Sequence, residues 1–452
     1  MSKKLNILWG AEQPTRPTGY GVVTRNIAKR LVERGHEVNC IGWDYNGEPF
    51  KHTEGWSMIH AGLGGFGEEP VSPSGPSILE YHISTYKPDV YVSLIDPWYI
   101  GHAIKSTNAL RVPYVAYLPV DGFPISYAWK DILKMVHTPL WMANYGKKIF
   151  SEFVQEYSSK GTANDEFKDP VLDRYLEDAG DVLYHGVDTK IFKPRPPSHI
   201  ENAKKSLNIS KFDFIFSSVG KNTFRKQQPR LLNAYKIFLD SLEPHIASRI
   251  CMFIHCGDPT DTTGMGGWNL PVLCKQMGLE KNVRFTDNGN NPLMGLSSEQ
   301  MGMLYAVSDV HILATSGEGF GVPSAEAMSS GCAIILPDNS TGPELLGAEP
   351  NSANNSEDGV VETDRGWLVK CSEWITGGRW AVNHGIVSVE ALAESFKRSF
   401  NDVELTRKKG QNARDFALDN LDWDVITDQV ESILYKASET KHPLGLNAVR
   451  YG

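Results

Sequence analysis

Apolar residues along this chain gather in short unbroken runs instead of strict alternation, and the runs are spaced by stretches with a helical pattern. In the first part the runs are LNILWG (5–10), EVNCIG (37–42), DVYVSLI (89–95) and PYVAYLP (113–119). Further on they are FDFIFSSVG (212–220), CMFIHCG (251–257), VRFTD (283–287), DVHILA (309–314) and the segment from Cys332 to Leu336. A strand buried on both faces reads as a continuous apolar run, and helices between such strands imply a parallel sheet covered on both sides. The intervening patterns predict helices over Val22 to Arg34, much of Leu140 to Tyr157, Gln227 to Leu242, Glu390 to Phe400, Thr406 to Leu421, and Trp423 to Ala437. Ser158 to Asp173 is polar and reads as an excursion from this alternation.

The chain has 452 residues, too many for one core of ordinary size, so two α/β domains are expected. Pro194, Pro196 and Pro197 stiffen the connection after DVLYHGVDTKIFKP (181–194) and set the expected boundary close to residue 193. The first domain is then 1–192, the second 193–421, and 422–452 a terminal helix and tail. Hydrophobic residues at 41% and charged residues at 22% fit a soluble globular protein. No apolar run approaches the roughly 20 residues that cross a membrane. The start, MSKKLNILWG, runs directly into a strand with too short an apolar segment for a signal peptide, so a cytoplasmic location is expected. Six scattered cysteines without paired CxxC spacing read as buried free thiols. A net charge of −9 without a long basic stripe disfavours a nucleic-acid binder.

Candidate chemistry concentrates between Ser308 and Glu344. A strand, Val310 to Ala314, breaks into a small-residue loop, Thr315 to Gly321, and Pro323 then opens a helix. Proline suits the first helical turn, where its missing N–H costs nothing. The loop therefore ends on free backbone N–H groups at the positive end of a helix, and Gly319 and Gly321 remove side-chain bulk, which makes a phosphate cradle. Two carboxylates bracket it. Glu326, at the start of the helix, suits both hydroxyls of a ribose, as the acid of a dinucleotide site does. Glu318, ahead of the glycines, suits the hydroxyls of a sugar beyond the phosphates. A plain turn with acids favouring a helix N-terminus has the same local appearance.

The whole run EGFGVPSAEAMSSG goes further: it resembles the signature of the large retaining glycosyltransferase family of the GT-B type, usually called family 4. The resemblance implies an α/β fold of two Rossmann-like domains facing a cleft, with the terminal helix from Trp423 crossing back to the first domain. It implies cations that grip a diphosphate in GKNTFRKQQPRLL (220–232), where Lys226 sits at the family's Lys position. Lys221 stands where the family has Arg, and an ammonium cannot form the planar fork of a guanidinium. Arg225 is expected to supply that fork, with Arg230 as a weaker candidate. Lys226, Arg225 and the backbone of Phe320 and Gly321 would then hold the charge of the departing diphosphate, and no metal ion is implied. No Asp-x-Asp motif is present here; Asp258 and Asp261 are separated by Pro259 and Thr260.

In the first domain the resemblance covers PTGYGVV (17–23), whose Gly19 and Gly21 would approach the donor phosphate ahead of a helix. The GxGxxG of a dinucleotide site is absent there. His185 replaces the asparagine of the family's Asn-Gly-Val-Asp stretch. Many family members carry a His after the fourth strand, and here the stretch reads YLPVDGFP (117–124), with Asp121 at about that place. Asp121 either orients the sugar or acceptor or caps a helix beginning near Pro124. The first 150 residues hold six of the eleven tryptophans and ten of the seventeen tyrosines, among which Trp98 and Tyr127 are the better acceptor contacts. The implied activity moves a hexosyl or related sugar from a nucleoside-diphosphate sugar to the hydroxyl of a carbohydrate or other acceptor, with retention. A non-catalytic or epimerase-type nucleotide-sugar binder, a sugar phosphorylase and a DNA-base glycosyltransferase are the alternatives on this architecture.

Overall fold

The computed structural model describes residues 3–43, 45–62, 67–72, 75–163, 168–263, 266–286, 296–377 and 380–440. The chain folds as two compact units: Met1–His185 with Trp423–Gly452, and Gly186–Asp422.

The first unit is built on an eight-stranded sheet. Its strands are β1 (Asn6–Glu12), β2 (Glu37–Trp43), β3 (Phe50–Lys51), β4 (Ser57–His60), β5 (Val90–Leu94), β6 (Tyr114–Leu118), β7 (Thr138–Trp141) and β8 (Asp181–Val182). Their order is β3-β4-β2-β1-β5-β6-β7-β8, and every pairing is parallel except β3 with β4. The continuous apolar runs of the sequence are β1, β2, β5 and β6, whose side chains are buried almost throughout.

The helix predicted over much of Leu140 to Tyr157 is present, but the first residues of that segment, Leu140 and Trp141, belong to β7, which pairs with β6 from Val115↔Thr138 to Leu118↔Trp141. The helix runs Asn144–Ala163, so its C-terminal end extends into the polar segment from Ser158. A four-residue buried strand lacks any periodicity of its own, and only its neighbour in the sheet distinguishes it from a helical turn. The terminal helix Trp423–Glu439 belongs to this unit. It buries Trp423, Ile426, Val430, Ile433 and Leu434. Arg34 holds it through Asp428 at 2.7 Å and Glu431 at 2.9 Å, and His36 Nε2 lies 2.9 Å from Glu431. Residues 441–452 of the expected tail lie outside the described residues.

The division falls after His185, ahead of the boundary read at residue 193. The reason is visible in the hydrogen bonds: Val187 N–H donates to the Leu421 carbonyl at 2.7 Å, and Arg414 donates to the Phe192 carbonyl at 2.7 Å. The stretch 186–192 is thereby stitched into the second unit before the prolines are reached. His185 itself is buried with its Nδ1 2.8 Å from the Tyr117 hydroxyl, and burial pulls it down to about 3.

The second unit carries a seven-stranded sheet of β9 (Phe214–Val219), β10 (Ile250–His255), β11 (Val283–Phe285), β12 (Val310–Ile312), β13 (Ala333–Pro337), β14 (Val360–Thr363) and β15 (Gly366–Val369). The order is β11-β10-β9-β12-β13-β15-β14, with only β14 and β15 antiparallel. Asp287, the end of the expected VRFTD strand, lies outside the described residues. The core over β9 is aromatic: Phe216 and Phe396 meet edge to face at 4.7 Å, and Phe238 stacks on Phe396 at 5.8 Å. Truncating any of these to alanine costs about 3–5 kcal/mol. An antiparallel hairpin absent from the sequence reading, β16 (Cys371–Gly377) with β17 (Val382–Val387), stands beside this sheet.

Among the described residues no helix is long and apolar enough to cross a membrane. All six cysteines are free and buried.

Candidate functional site

Three loops leave the carboxyl ends of adjacent strands in the second unit, where ligands of open α/β sheets bind. They follow β9 (220–227), β12 (313–321) and β13 (338–341). The middle loop ends at Gly321, whose φ of +97° places it in the left-handed region as N-cap of the helix Val322–Ser329. A Cβ there would meet nothing nearer than 3.7 Å, so conformation and not space demands glycine.

Glu318 sits in this loop between two cations contributed by the β9 turn. Lys226 Nζ hydrogen-bonds its Oε1, and Arg225 Nη1 lies 2.9 Å from the same oxygen. Arg225 also donates to the Gly317 carbonyl, while its own carbonyl accepts from Ser316 N–H at 2.8 Å. Burial disfavours the Glu318 charge, yet the Arg225 and Lys226 charges and the Lys226 and Thr315 hydrogen bonds outweigh it and hold the carboxyl at about 2. The acid is thus ionised across the physiological range. The trio carries one net positive charge, and its more exposed cation is Arg225, at 38% against 9% for Lys226. Lys226 lies along Gly220, where an added Cβ would come within 3.2 Å of its Cε.

Lys221 is exposed at the start of the turn, and the two ion pairs on Glu318 form without it. Arg230 is turned elsewhere, its Nε donating to the Val387 carbonyl at 2.7 Å. Gly319 and the buried Phe320 complete the loop, and the Phe320 carbonyl accepts from the Thr341 hydroxyl at 2.9 Å. Glu326 lies on the helix that starts at Val322, and its Oε2 accepts from the Tyr305 hydroxyl at 3.1 Å. Burial pushes its carboxyl up to about 7 against the opposing effect of that hydrogen bond. The two acids of the motif therefore sit in opposite electrostatic settings, one locked ionised and one poised to titrate.

Sequence reasoning missed the residues that support this loop from outside the motif. Ser340 Oγ accepts from Glu318 N–H at 2.9 Å, and Asn339 Nδ2 donates to the Thr315 carbonyl at 3.1 Å. Gln227, at φ +47°, donates its amide to the Gly385 carbonyl at 3.0 Å and accepts from Val387 N–H at 3.3 Å. Gly385 N–H in turn donates to the Ser316 carbonyl at 3.0 Å, so the root of the β16–β17 hairpin is part of the site's frame. The available signal was a polar Asn-Ser-Thr run directly after an apolar strand; nothing local marked Gln227 or Gly385.

The first unit's candidates are placed as follows. Gly19 and Gly21 lie inside the first turn of the helix Gly19–Glu33, which was read as starting at Val22. A Cβ on Gly21 would strike the Arg16 and Gln13 carbonyl oxygens at 2.5 and 2.7 Å, while Gly19 faces open space. Gly21 is thus required for packing the loop on the helix. Asp121 follows β6, and the helix expected near Pro124 instead begins at Lys130, after a short turn Tyr127–Trp129 headed by Ser126, so the capping role does not apply. Tyr145 is pushed up by burial and by the Asp121 charge, which puts the two groups in one electrostatic neighbourhood. Trp98, 36% exposed, lies 5.7 Å from the Trp129 ring. Tyr127, 47% exposed, donates to Glu156 at 3.1 Å and accepts from Lys160 at 2.7 Å, which ties its hydroxyl to the helix Asn144–Ala163.

The fold and this loop cluster define a class: a two-domain α/β protein of the GT-B type with a cationic, helix-headed site in its second unit. HepE of Anabaena, solved with UDP-glucose, superposes with a TM-score of 0.65 at 15% identity over 96% of this chain and 100% of its own. Sucrose-phosphate synthase of Thermosynechococcus elongatus gives 0.64 at 15% identity over 95% and 98%. These likenesses speak to the fold. In sequence, an uncharacterized glycosyltransferase of Methanocaldococcus jannaschii is 22% identical over 344 residues, covering 72% of this chain and 78% of its own. Residues 199–358 match the family of glycosyl transferases group 1. The match to the glycosyl transferases group 1 family thus falls within the second unit, on the domain that carries the site.

Proposed function

We propose that this protein transfers a hexosyl or related sugar from a nucleoside-diphosphate sugar to an acceptor hydroxyl, with net retention and without a metal ion, as a family 4 enzyme. The observation that carries the reading is the Arg225–Lys226 pair gathered on Glu318 beside the left-handed Gly321 that heads a helix. Two cations on one carboxylate leave one positive charge over, which a diphosphate satisfies. The HepE complex with UDP-glucose on the same fold supports a nucleotide-sugar donor.

In the reaction the bond from the anomeric carbon to the phosphate oxygen breaks, and its electron pair stays on the diphosphate. Arg225, Lys226, Lys221 at the rim, and the backbone N–H groups of Phe320 and Gly321 stabilise that charge. Each such preorganised donor is worth about 3–4 kcal/mol in the transition state. The acceptor oxygen bonds to the same face of the carbon, and its proton passes to the departing phosphate oxygen. Glu318 accepts hydrogen bonds from the donor sugar, Gly319 gives the backbone close approach, and Glu326 accepts from the ribose. The first unit's Gly19, Gly21, Asp121, Trp98 and Tyr127 are the candidates for donor phosphate and acceptor.

A thermal-shift screen against UDP-, GDP- and ADP-sugars tests the reading, because a ligand that binds only the folded state raises its midpoint by mass action. One donor class shifts the midpoint, and Lys226→Ala abolishes the shift; an unchanged response in that variant overturns the site. Product anomers read by NMR, with and without EDTA, test retention and metal independence.

A further inference from the structure

Glu326 carries a partner that the motif does not specify. Tyr305 stands at the end of the helix Ser298–Ala306, packed beside the helix that bears Glu326. It is fully buried, and its ring is wedged edge-on between Phe192 at 6.0 Å and His311 at 5.5 Å. His311 is itself buried on β12, where burial and the Lys226 charge keep its imidazole neutral. The Tyr305 hydroxyl is therefore fixed by packing, and it donates to Glu326 Oε2 at 3.1 Å. The phenol is buried beside a carboxylate, and both effects hold its proton on. A permanent donor thus occupies one carboxylate oxygen of the half-buried Glu326.

We infer that Tyr305 is the positioning residue for Glu326 and, through it, sets the preference of the site for a ribonucleotide over a 2′-deoxyribonucleotide. A glutamate has three rotatable bonds, and an unpinned one meets a ribose diol in only a fraction of its rotamers. Pinning Oε2 from the interior fixes the direction of Oε1. A site built to hydrogen-bond a hydroxyl discriminates strongly against the analogue that lacks it, because its own polar group is then left unpaired. The opposite dependence, in which Glu326 merely satisfies a buried phenol, uses the same contact but predicts no effect on nucleotide choice.

The inference rests on the donor-site reading of Glu326, and the test separates the two. Dissociation constants are measured by calorimetry for UDP and 2′-deoxy-UDP, with the GDP and ADP pairs alongside, on the full chain. Wild type, Tyr305→Phe, Glu326→Gln and Glu326→Asp are compared. Tyr305→Phe keeps the ring and its packing; Glu326→Asp keeps the charge but shortens the reach to Tyr305, so each breaks the contact independently. Wild type is expected to favour the ribonucleotide at least tenfold. Both contact-breaking variants should cut that ratio at least fivefold while moving the deoxynucleotide constant less than twofold. A uniform loss for both ligands, or a ratio unchanged in Tyr305→Phe while Glu326→Gln collapses it, overturns the positioning role. A ratio unchanged in Glu326→Gln removes the ribose reading itself, and the inference with it.

Discussion

The Glu318 trio makes a quantitative prediction about what happens when one cation is removed. The carboxyl is held at about 2 from an ordinary 4.5, which through linkage corresponds to about 3 kcal/mol of folding stability at neutral pH. Its side chain is only 12% exposed, so solvent screening discounts this figure little. Lys226→Met keeps the apolar stem beside Gly220 and deletes the charge. Arg225 remains 2.9 Å from Glu318, so the loss is partial, about 2 kcal/mol, below the roughly 3–5 kcal/mol of a fully orphaned buried charge. Glu318→Gln leaves two neighbouring cations without their acid and is destabilising in its own right. In the double variant neither penalty is complete, because removing both partners of a buried pair costs less than stranding one. A coupling of about 1–2 kcal/mol is therefore expected from the cycle, read by urea unfolding of the full chain with circular dichroism and tryptophan fluorescence as parallel probes. The same Lys226→Met variant should weaken nucleoside-diphosphate binding by about 10- to 150-fold, the equivalent of one charged hydrogen bond at about 1.5–3 kcal/mol. Single-variant losses that add to within about 0.5 kcal/mol would refute the claim that these side chains form one electrostatic unit.

Two further predictions follow from the surroundings of the trio. The acids titrate with opposite sign: Glu318, depressed to about 2, contributes stability that is present above about 4.5 and is lost as pH falls toward 2. Glu326, raised to about 7, binds its proton more tightly in the folded state, so stability declines as pH rises from about 4.5 to 7. Affinity for a nucleoside diphosphate should rise over the upper part of that window as the ionised acceptor forms. Calorimetry at pH 5.5, 6.5 and 7.5 on wild type and Glu326→Gln checks it, the variant losing the carboxylate-dependent part of the slope. At the hairpin root, a Cβ on Gly385 would stand 2.7 Å from Cys371 Sγ and 2.8 Å from Asn339 Nδ2. Gly385→Ala should therefore displace the Asn339 support of the loop and weaken donor binding about tenfold with little change in the melt of the first unit; an unchanged dissociation constant would mean that the hairpin does not frame the site.

What this chain's sequence determined alone is what short-range chemistry can encode. Continuous apolar runs gave the buried parallel strands. The EGFGVP run marked a glycine loop and a helix start, while the structure showed that Gly321 is required for its φ of +97° and not for space. The two acids were legible from the same motif, and Lys226 from the family resemblance of the separate segment GKNTFRKQQPRLL. The tertiary structure alone decided which groups serve them. Arg225 rather than Lys221 faces Glu318, since the turn after Thr223 aims two consecutive cations at a loop 92 residues away. Ser340, 22 residues from Glu318, Gln227, 158 residues from Gly385, and Tyr305, 21 residues from Glu326, acquire roles only once their strands and helices lie side by side. The short strand β7 and the early division at His185 belong with them: both are fixed by partners in the sheet or at Leu421, and an isolated segment carries no imprint of a partner that distant.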